Sequence, residues 1–197
     1  MPGKDIEREA IAREWPLDED GFPHRQAARV VLLNPSGEAY LILGHDIDEP
    51  AFRWWFTPGG GIEPGESARE AAVRELREET GWAADPERLE GPVLSRQATF
   101  RFVGSIRKQD ELFFLLRVNR AEAAAVTAGI GRELTALEEN VLDRAAWHSP
   151  QQLTAAQARG ENVFPSCLPE LIARWARGWD GELVRLKNDE NKPFSGS

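Results

Sequence analysis

The stretch Thr57 to Trp82, TPGGGIEPGESAREAAVRELREETGW, runs from a glycine-rich turn into a segment, Ser67 to Thr80, that lacks Gly and Pro and is rich in Ala, Arg, Glu and Leu. These are strong helix formers. Ser67 followed three residues later by Glu70 is a capping-box pattern, and Gly81 stands where a left-handed residue ends a helix. At about 100° per residue, placing Glu75 at zero puts Glu78 near −60° and Glu79 near +40°, so the three carboxylates share one arc of roughly 100°. Ala71 and Ala72 fall on the same arc one turn earlier, which predicts a bare surface beside the carboxylates. Val73, Leu76 and Thr80 gather on the far side, where they can pack on a sheet, and Glu70 with Arg74 forms a separate ion-pair strip.

Like charges at this spacing cost a few tenths of a kcal/mol per pair, and they sit at the helix end whose dipole prefers cations. A solvated, glutamate-rich helix end is the bland reading. The other is a divalent cation such as Mg²⁺ or Mn²⁺, which takes hard oxygen ligands and keeps substrate phosphates in its shell. The preceding PGGGIEPGE favours the second, because its backbone amides carry no Cβ to obstruct a phosphate. It is not a P-loop: Gly60 and Gly65 have the spacing, but Glu66 and Ser67 stand where lysine and its neighbour are needed. Pro64 likewise breaks the dinucleotide-binding pattern of glycines.

Outward from this stretch, the chain of 197 residues is long enough for one domain with a good core. Its 24 Lys and Arg against 33 Asp and Glu give a net charge of -9, a repulsive mean field for nucleic acid or an anionic membrane. The single cysteine, Cys167, rules out an intrachain disulfide and suits a reducing cytoplasm; no apolar run reaches the length of a membrane span. Residues 1–24, broken by Pro16, Gly21 and Pro23, are expected to form a loosely attached arm. Residues 25–155 hold the main domain, and 156–197 a helical extension of it ending in a frayed tail, NDENKPFSGS. RQAARVVLLN and EAYLILG around PSG predict a hairpin, and AFRWWFT a third strand. SRQATFRFVGSI and ELFFLLRV predict two more around a turn at RKQD. Ala121–Ala128 predicts a short helix, DRAAWHS a strand, PQQLTAAQA a helix, and Leu168–Arg177 a final helix. Hairpins without regular βαβ alternation indicate a mixed sheet flanked by helices.

Gly60, five residues, Glu66, seven residues, then Arg74-Glu75-Leu76-Arg77-Glu78-Glu79-Thr80-Gly81-Trp82 resembles the Nudix box, G-x5-E-x7-R-E-U-x-E-E-x-G-U, where U is a bulky apolar residue. Trp82 takes the place of the usual aliphatic at the last U. WFTPGG upstream is similar to the family's W-x-x-P-G-G entry, and the flanking strands carry the likeness over roughly residues 25–155. The resemblance implies an α/β/α sandwich with a mixed, largely antiparallel sheet. It also implies Mg²⁺- or Mn²⁺-dependent hydrolysis of a pyrophosphate bond in a nucleoside diphosphate linked to another moiety. By position, Glu75, Glu78 and Glu79 would be metal ligands, with the Gly59 carbonyl a further one, and Glu66 and Arg74 a structural ion pair. The general base varies in the family: here a box glutamate, or Glu138 or Glu139 in LTALEEN, with Glu111 a weaker candidate. Ala98, Thr99 and Phe100 match neither the proline of ADP-ribose hydrolases nor the tyrosine of dinucleoside polyphosphate hydrolases, so the resemblance names no substrate. A non-catalytic nucleotide-binding or regulatory module with the same fold is the alternative. An RNA-decapping enzyme would need a basic track that this acidic chain lacks. The family also permits a homodimer.

Adjacent Trp54 and Trp55 must face opposite sides of a strand, one into the core and one free to stack on a nucleobase. Arg29, Arg53, Arg96 and Arg101 lie on expected strands and could hold phosphates. His24, His45 and His148 show no zinc or triad spacing, and Cys167 is expected as a small buried residue.

Overall fold

The computed structural model describes residues 15–47, 49–102 and 105–191. The PSG turn joins β1 (His24–Leu33) to β2 (Ala39–His45), and β3 (Arg53–Phe56) returns along β2. β4 (Gly59–Gly61) leads into α1 (Ala68–Thr80), followed by β5 (Glu90–Phe102) and β6 (Ser105–Arg117). Next come α2 (Arg120–Ala128), α3 (Ala136–Val141), β7 (Leu142–His148) and α4 (Pro150–Ala158). β8 (Asn162–Val163), α5 (Leu168–Trp175) and β9 (Val184–Asn191) complete the chain. The sheet order is β8-β3-β2-β1-β6-β5-β9, with β4 beside β1 and β7 beside β2. Pairing is largely antiparallel; β1 with β6, β3 with β8 and β5 with β9 run parallel.

Strand alternation sends β1 side chains to two cores. Val30 and Leu32, with Phe114 and Leu116 of β6, pack against Ala71, Ala72 and Leu76 of α1 and Val126 of α2. Val31 and Leu33, with Phe113 and Leu115, pack against Leu153 of α4 and Leu168, Ile172 and Trp175 of α5. Helices therefore cover both faces, giving the α/β/α sandwich.

Helix α1 begins with a complete capping box: Ser67 Oγ accepts from the Glu70 amide and the Ser67 amide donates to Glu70 Oε2. It ends at Gly81, with φ of +73°, where a Cβ would fall 2.1 Å from the Ile130 carbonyl oxygen. The carboxylate arc does not border a bare surface. Ala71, Ala72, Glu75, Leu76, Glu79 and Thr80 are all buried while Val73 is only half-buried, because the two alanines bring the arc itself onto the sheet. Glu70 is spent on the cap, so Arg74 turns instead to Glu66.

Three other expectations need correcting. RKQD is no turn; Arg107–Asp110 lies within β6, paired with β5, and its polarity reflects the site that this strand lines. The arm's last residues are tied down. Leu17 bridges Pro23, Lys108 Nζ pairs with Asp18 at 2.9 Å and Asp20 at 3.2 Å, and Trp15 is buried; residues 1–14 lie outside the described residues. The start of the expected tail, Asn188–Asn191, belongs to β9, and 192–197 lie outside the described residues. No helix among the described residues is long and apolar enough to cross a membrane.

Packing and capping should separate in equilibrium urea unfolding. Leu76→Ala, at a fully buried position, is expected to lose about 2–5 kcal/mol. Ser67→Ala, which removes only the cap, is expected to lose about 0.5–2 kcal/mol.

Candidate active site

The site exists because β1 changes neighbours. It pairs with β2 only at Leu33↔Ala39, whereas β4 takes that edge at Ala27–Arg29. The glycine strand enters where the hairpin strands part, and a cleft of about 1070 Å³ opens between β4, α1, β6 and α3. Two glycines make the approach possible. At Gly59, φ is +139° and a Cβ would lie 2.3 Å from the Ala28 carbonyl oxygen; at Gly60 it would lie 2.6 Å from the Glu75 carboxylate.

Arg74 organises the outer carboxylates. Its Nε and Nη2 donate to the two Glu66 oxygens at 2.9 and 3.1 Å, Nη2 also to the Gly61 carbonyl at 2.8 Å. Nη1 donates to Glu75 at 2.8 Å and Glu78 at 3.1 Å. The expected ion pair of Glu66 and Arg74 is thus present, and Arg74 holds the Glu66 carboxyl below its usual range. Deeper in, Glu79 Oε2 accepts the Gly59 amide at 2.8 Å. Burial, then the Glu75 charge, pushes the Glu79 carboxyl well above the ordinary range. Burial also raises Glu75, with Arg74 opposing and Glu78 and Glu138 adding to the rise.

Among the described residues, no three carboxylate, His or Cys side chains converge as a metal-binding group. Arg74 draws Glu75 and Glu78 toward itself, while Glu79 turns to the Gly59 amide. The donor set nevertheless fits a hard divalent cation: carboxylate oxygens beside one another, two of them buried with their charged forms disfavoured, next to a backbone carbonyl. That carbonyl, of Gly59, accepts from Arg29 Nη1 at 3.1 Å.

Glu111 is not a poised base. Burial alone would raise its carboxyl, but the charges and hydrogen bonds of Arg29 and Arg96 override this and hold it at about 2. Of the loop candidates, Glu138 lines the cleft, half-buried, and its Oε2 caps α3 by accepting the Thr135 amide and hydroxyl at 2.8 Å each. Glu139 is exposed and does not line the cleft.

Trp55 enters the core, with Nε1 donating to Glu161 at 3.2 Å, and Trp54 lines the cleft. Arg53 is exposed, outside the cleft lining, and donates to the Pro50 carbonyl at 3.2 Å. Arg29 and Arg96 are engaged by Glu111, and the Arg101 side chain lies outside the described residues. His24 pairs with Asp110 at 3.2 Å, His45 with Asp143 at 3.1 Å, and His148 meets the Trp55 ring edge-on. Cys167 is half-buried rather than buried, since it precedes α5 at the rim of the core.

Residues that sequence reasoning passed over complete the wall. Arg25 lies 4.1 Å over the Trp15 ring with Arg107 at 5.4 Å, and Arg25 Nε donates to Gln109 Oε1 at 2.7 Å. The available signal was period two. Arg25 and Arg29 precede Val31 on one face of β1, and Gln109 and Glu111 precede Phe113 on the same face of β6, so that face turns from polar to apolar along its length.

A family model described as a NUDIX domain matches residues 23–167. An RNA pyrophosphohydrolase of Erythrobacter litoralis is 34% identical over 122 residues, 54% of this chain and 68% of the relative. A Bacillus subtilis protein, provisionally named an 8-oxo-dGTP diphosphatase, is 46% identical over 61 residues, 31% of this chain and only 38% of its own length. Among solved structures, a C. elegans Ap4A hydrolase binary complex aligns with a TM-score of 0.49 at 18% identity, covering 79% of this chain and 99% of that one.

The raised carboxyls of Glu75 and Glu79 set a sign for stability. A folded pKa above the unfolded one stabilises fully below the ordinary glutamate range, and that contribution is lost as pH rises through the folded value. In EDTA, calorimetric Tm should therefore fall from mildly acid toward neutral pH, and Mg²⁺ should suppress the fall. A Tm that rises over that range in EDTA contradicts the assignment. Glu111 acts oppositely, its contribution being lost as pH drops toward about 2.

Proposed function

The chain belongs to the Nudix family of pyrophosphohydrolases, and on that premise we propose that it cleaves the pyrophosphate bond of a small nucleoside diphosphate derivative with Mg²⁺, or Mn²⁺ in its place, in the cytoplasm. The observation that carries this reading is Glu79: a carboxylate buried in the cleft beside Glu75, with the Gly59 amide as its only hydrogen-bond partner among the described residues.

Glu75, Glu78, Glu79 and the Gly59 carbonyl would hold the cation. When bound, it draws charge from the pyrophosphate oxygens and lowers the pKa of the water that attacks phosphorus. Glu138 accepts that water's proton; it lines the cleft, and its charge is felt by both Glu75 and Glu79. Arg74, bonded to Glu66 and to the Gly61 carbonyl, keeps the loop on the helix. Trp54 offers the ring for base stacking.

The names of the relatives bring two compounds to the test beside the usual ones. The panel comprises nucleoside triphosphates including 8-oxo-dGTP, dinucleoside polyphosphates, ADP-ribose, nucleotide sugars and 5′-triphosphorylated RNA. The Erythrobacter likeness favours RNA as a second reading; the net charge of -9 opposes it.

Phosphate release should require Mg²⁺, stop in EDTA and collapse in Glu78→Gln for one substrate class. Turnover unaffected by Glu78→Gln would sink the catalytic assignment. Glu138→Gln should lower kcat by about 10²–10⁴-fold, with Glu139→Gln close to wild type.

A further inference from the structure

Glu111 lies on β6, fully buried, and accepts from three side chains: Arg29 Nε at 2.5 Å, Gln109 Nε2 at 2.7 Å and Arg96 Nη1 at 2.8 Å. Arg29 reaches on from this anchor, its Nη1 donating to the carbonyls of Thr57 and Gly59 at 3.1 Å each. The Gly59 residue is thereby gripped through both of its backbone polar groups, its carbonyl accepting from Arg29 and its amide donating to Glu79. One chain of contacts thus runs from β6 through β1 and β4 to α1.

A buried carboxylate with two guanidiniums contributes little to stability compared with apolar packing, because all three lose their hydration. Its geometry serves another end. A planar guanidinium holds one carboxylate through Nε and two carbonyls through Nη1 in a fixed fork, whereas a lysine has to make all three bonds from a single freely rotating nitrogen. The negative charge of Glu111 also offsets the positive charge that Arg29 brings to a carbonyl proposed to face a metal.

We infer that Glu111 is a positioning residue, acting through Arg29 to fix the Gly59 peptide for cation binding. The inference rests on the metal-dependent reading above and adds a role for a side chain outside the Nudix box.

The test measures Mn²⁺ binding without substrate, by the electron paramagnetic resonance signal of free Mn²⁺, for the wild type, Glu111→Gln, Arg29→Gln and the double variant. Each single substitution should weaken binding about 10- to 100-fold, as supporting residues of metal ligands do. The double variant should be no worse than the weaker single, because both act on one peptide. Activity of Glu111→Gln should recover at high Mg²⁺ in a variant shown by calorimetry in EDTA to be fully folded at the assay temperature, so that stabilisation of the fold by the cation is not what restores it. A folded Glu111→Gln binding Mn²⁺ within twofold of wild type overturns the inference, as do strictly additive losses. Should the variant fail to fold, Mg²⁺ titration of the wild type by ¹H–¹⁵N NMR decides: the Arg29 Nε–H and Gly59 amide signals should move with one midpoint, and a stationary Arg29 overturns it. A wild type that binds neither ion overturns this inference and the metal-dependent reading together.

Discussion

The glycine strand lies so close to helix α1 that a Cβ at Gly60 would fall 2.6 Å from the Glu75 carboxylate. The rest of the site follows from this approach. It brings the Gly59 amide to Glu79, the Gly61 carbonyl to Arg74 and the Gly59 carbonyl to Arg29, and it excludes water from carboxylates that a looser fit would leave hydrated. Proximity converts a charged helix face into a set of oxygen donors with a strong demand for positive charge.

Two arginines share a design that ties backbone to charge. Arg74 bonds carboxylates of the loop and helix together with a loop carbonyl; Arg29 bonds a carboxylate of β6 together with two carbonyls before and within β4. In each case the loop cannot move without breaking a charge-assisted contact. The glycine strand, with no side chains to pack, is therefore held by its carbonyls and amides. Such a fixed arrangement suits a reaction whose catalysis consists mainly of placing charge.

Much of this was legible in the sequence because it is local. The capping box, the Gly81 stop and the shared arc of Glu75, Glu78 and Glu79 depend on spacing within one helix. The direction in which the arc points was misread, since Ala71 and Ala72 suggested bareness when their small size is what lets the helix lie down on the sheet. Arg29 with Glu111 was legible only as two strand residues, because the pairing of β1 with β6 joins segments 82 positions apart. RKQD reads as a turn because polar residues on a strand ordinarily face solvent; here Arg107, Gln109 and Asp110 line the cleft and Lys108 pairs with Asp18 and Asp20.

The matched family region ends at residue 167, yet the core does not. Leu168, Ile172 and Trp175 of α5 have no exposure and close one face of the sheet, while Val184 and Leu186 of β9 pack against the same cluster. On the other flank Trp15 lies ahead of the matched region and is equally part of a wall. The matched region and the packed core therefore have different borders in this chain. Cutting at the first would uncover an apolar face that includes Trp175, so the segments outside the matched region belong to the packed core as much as those inside it.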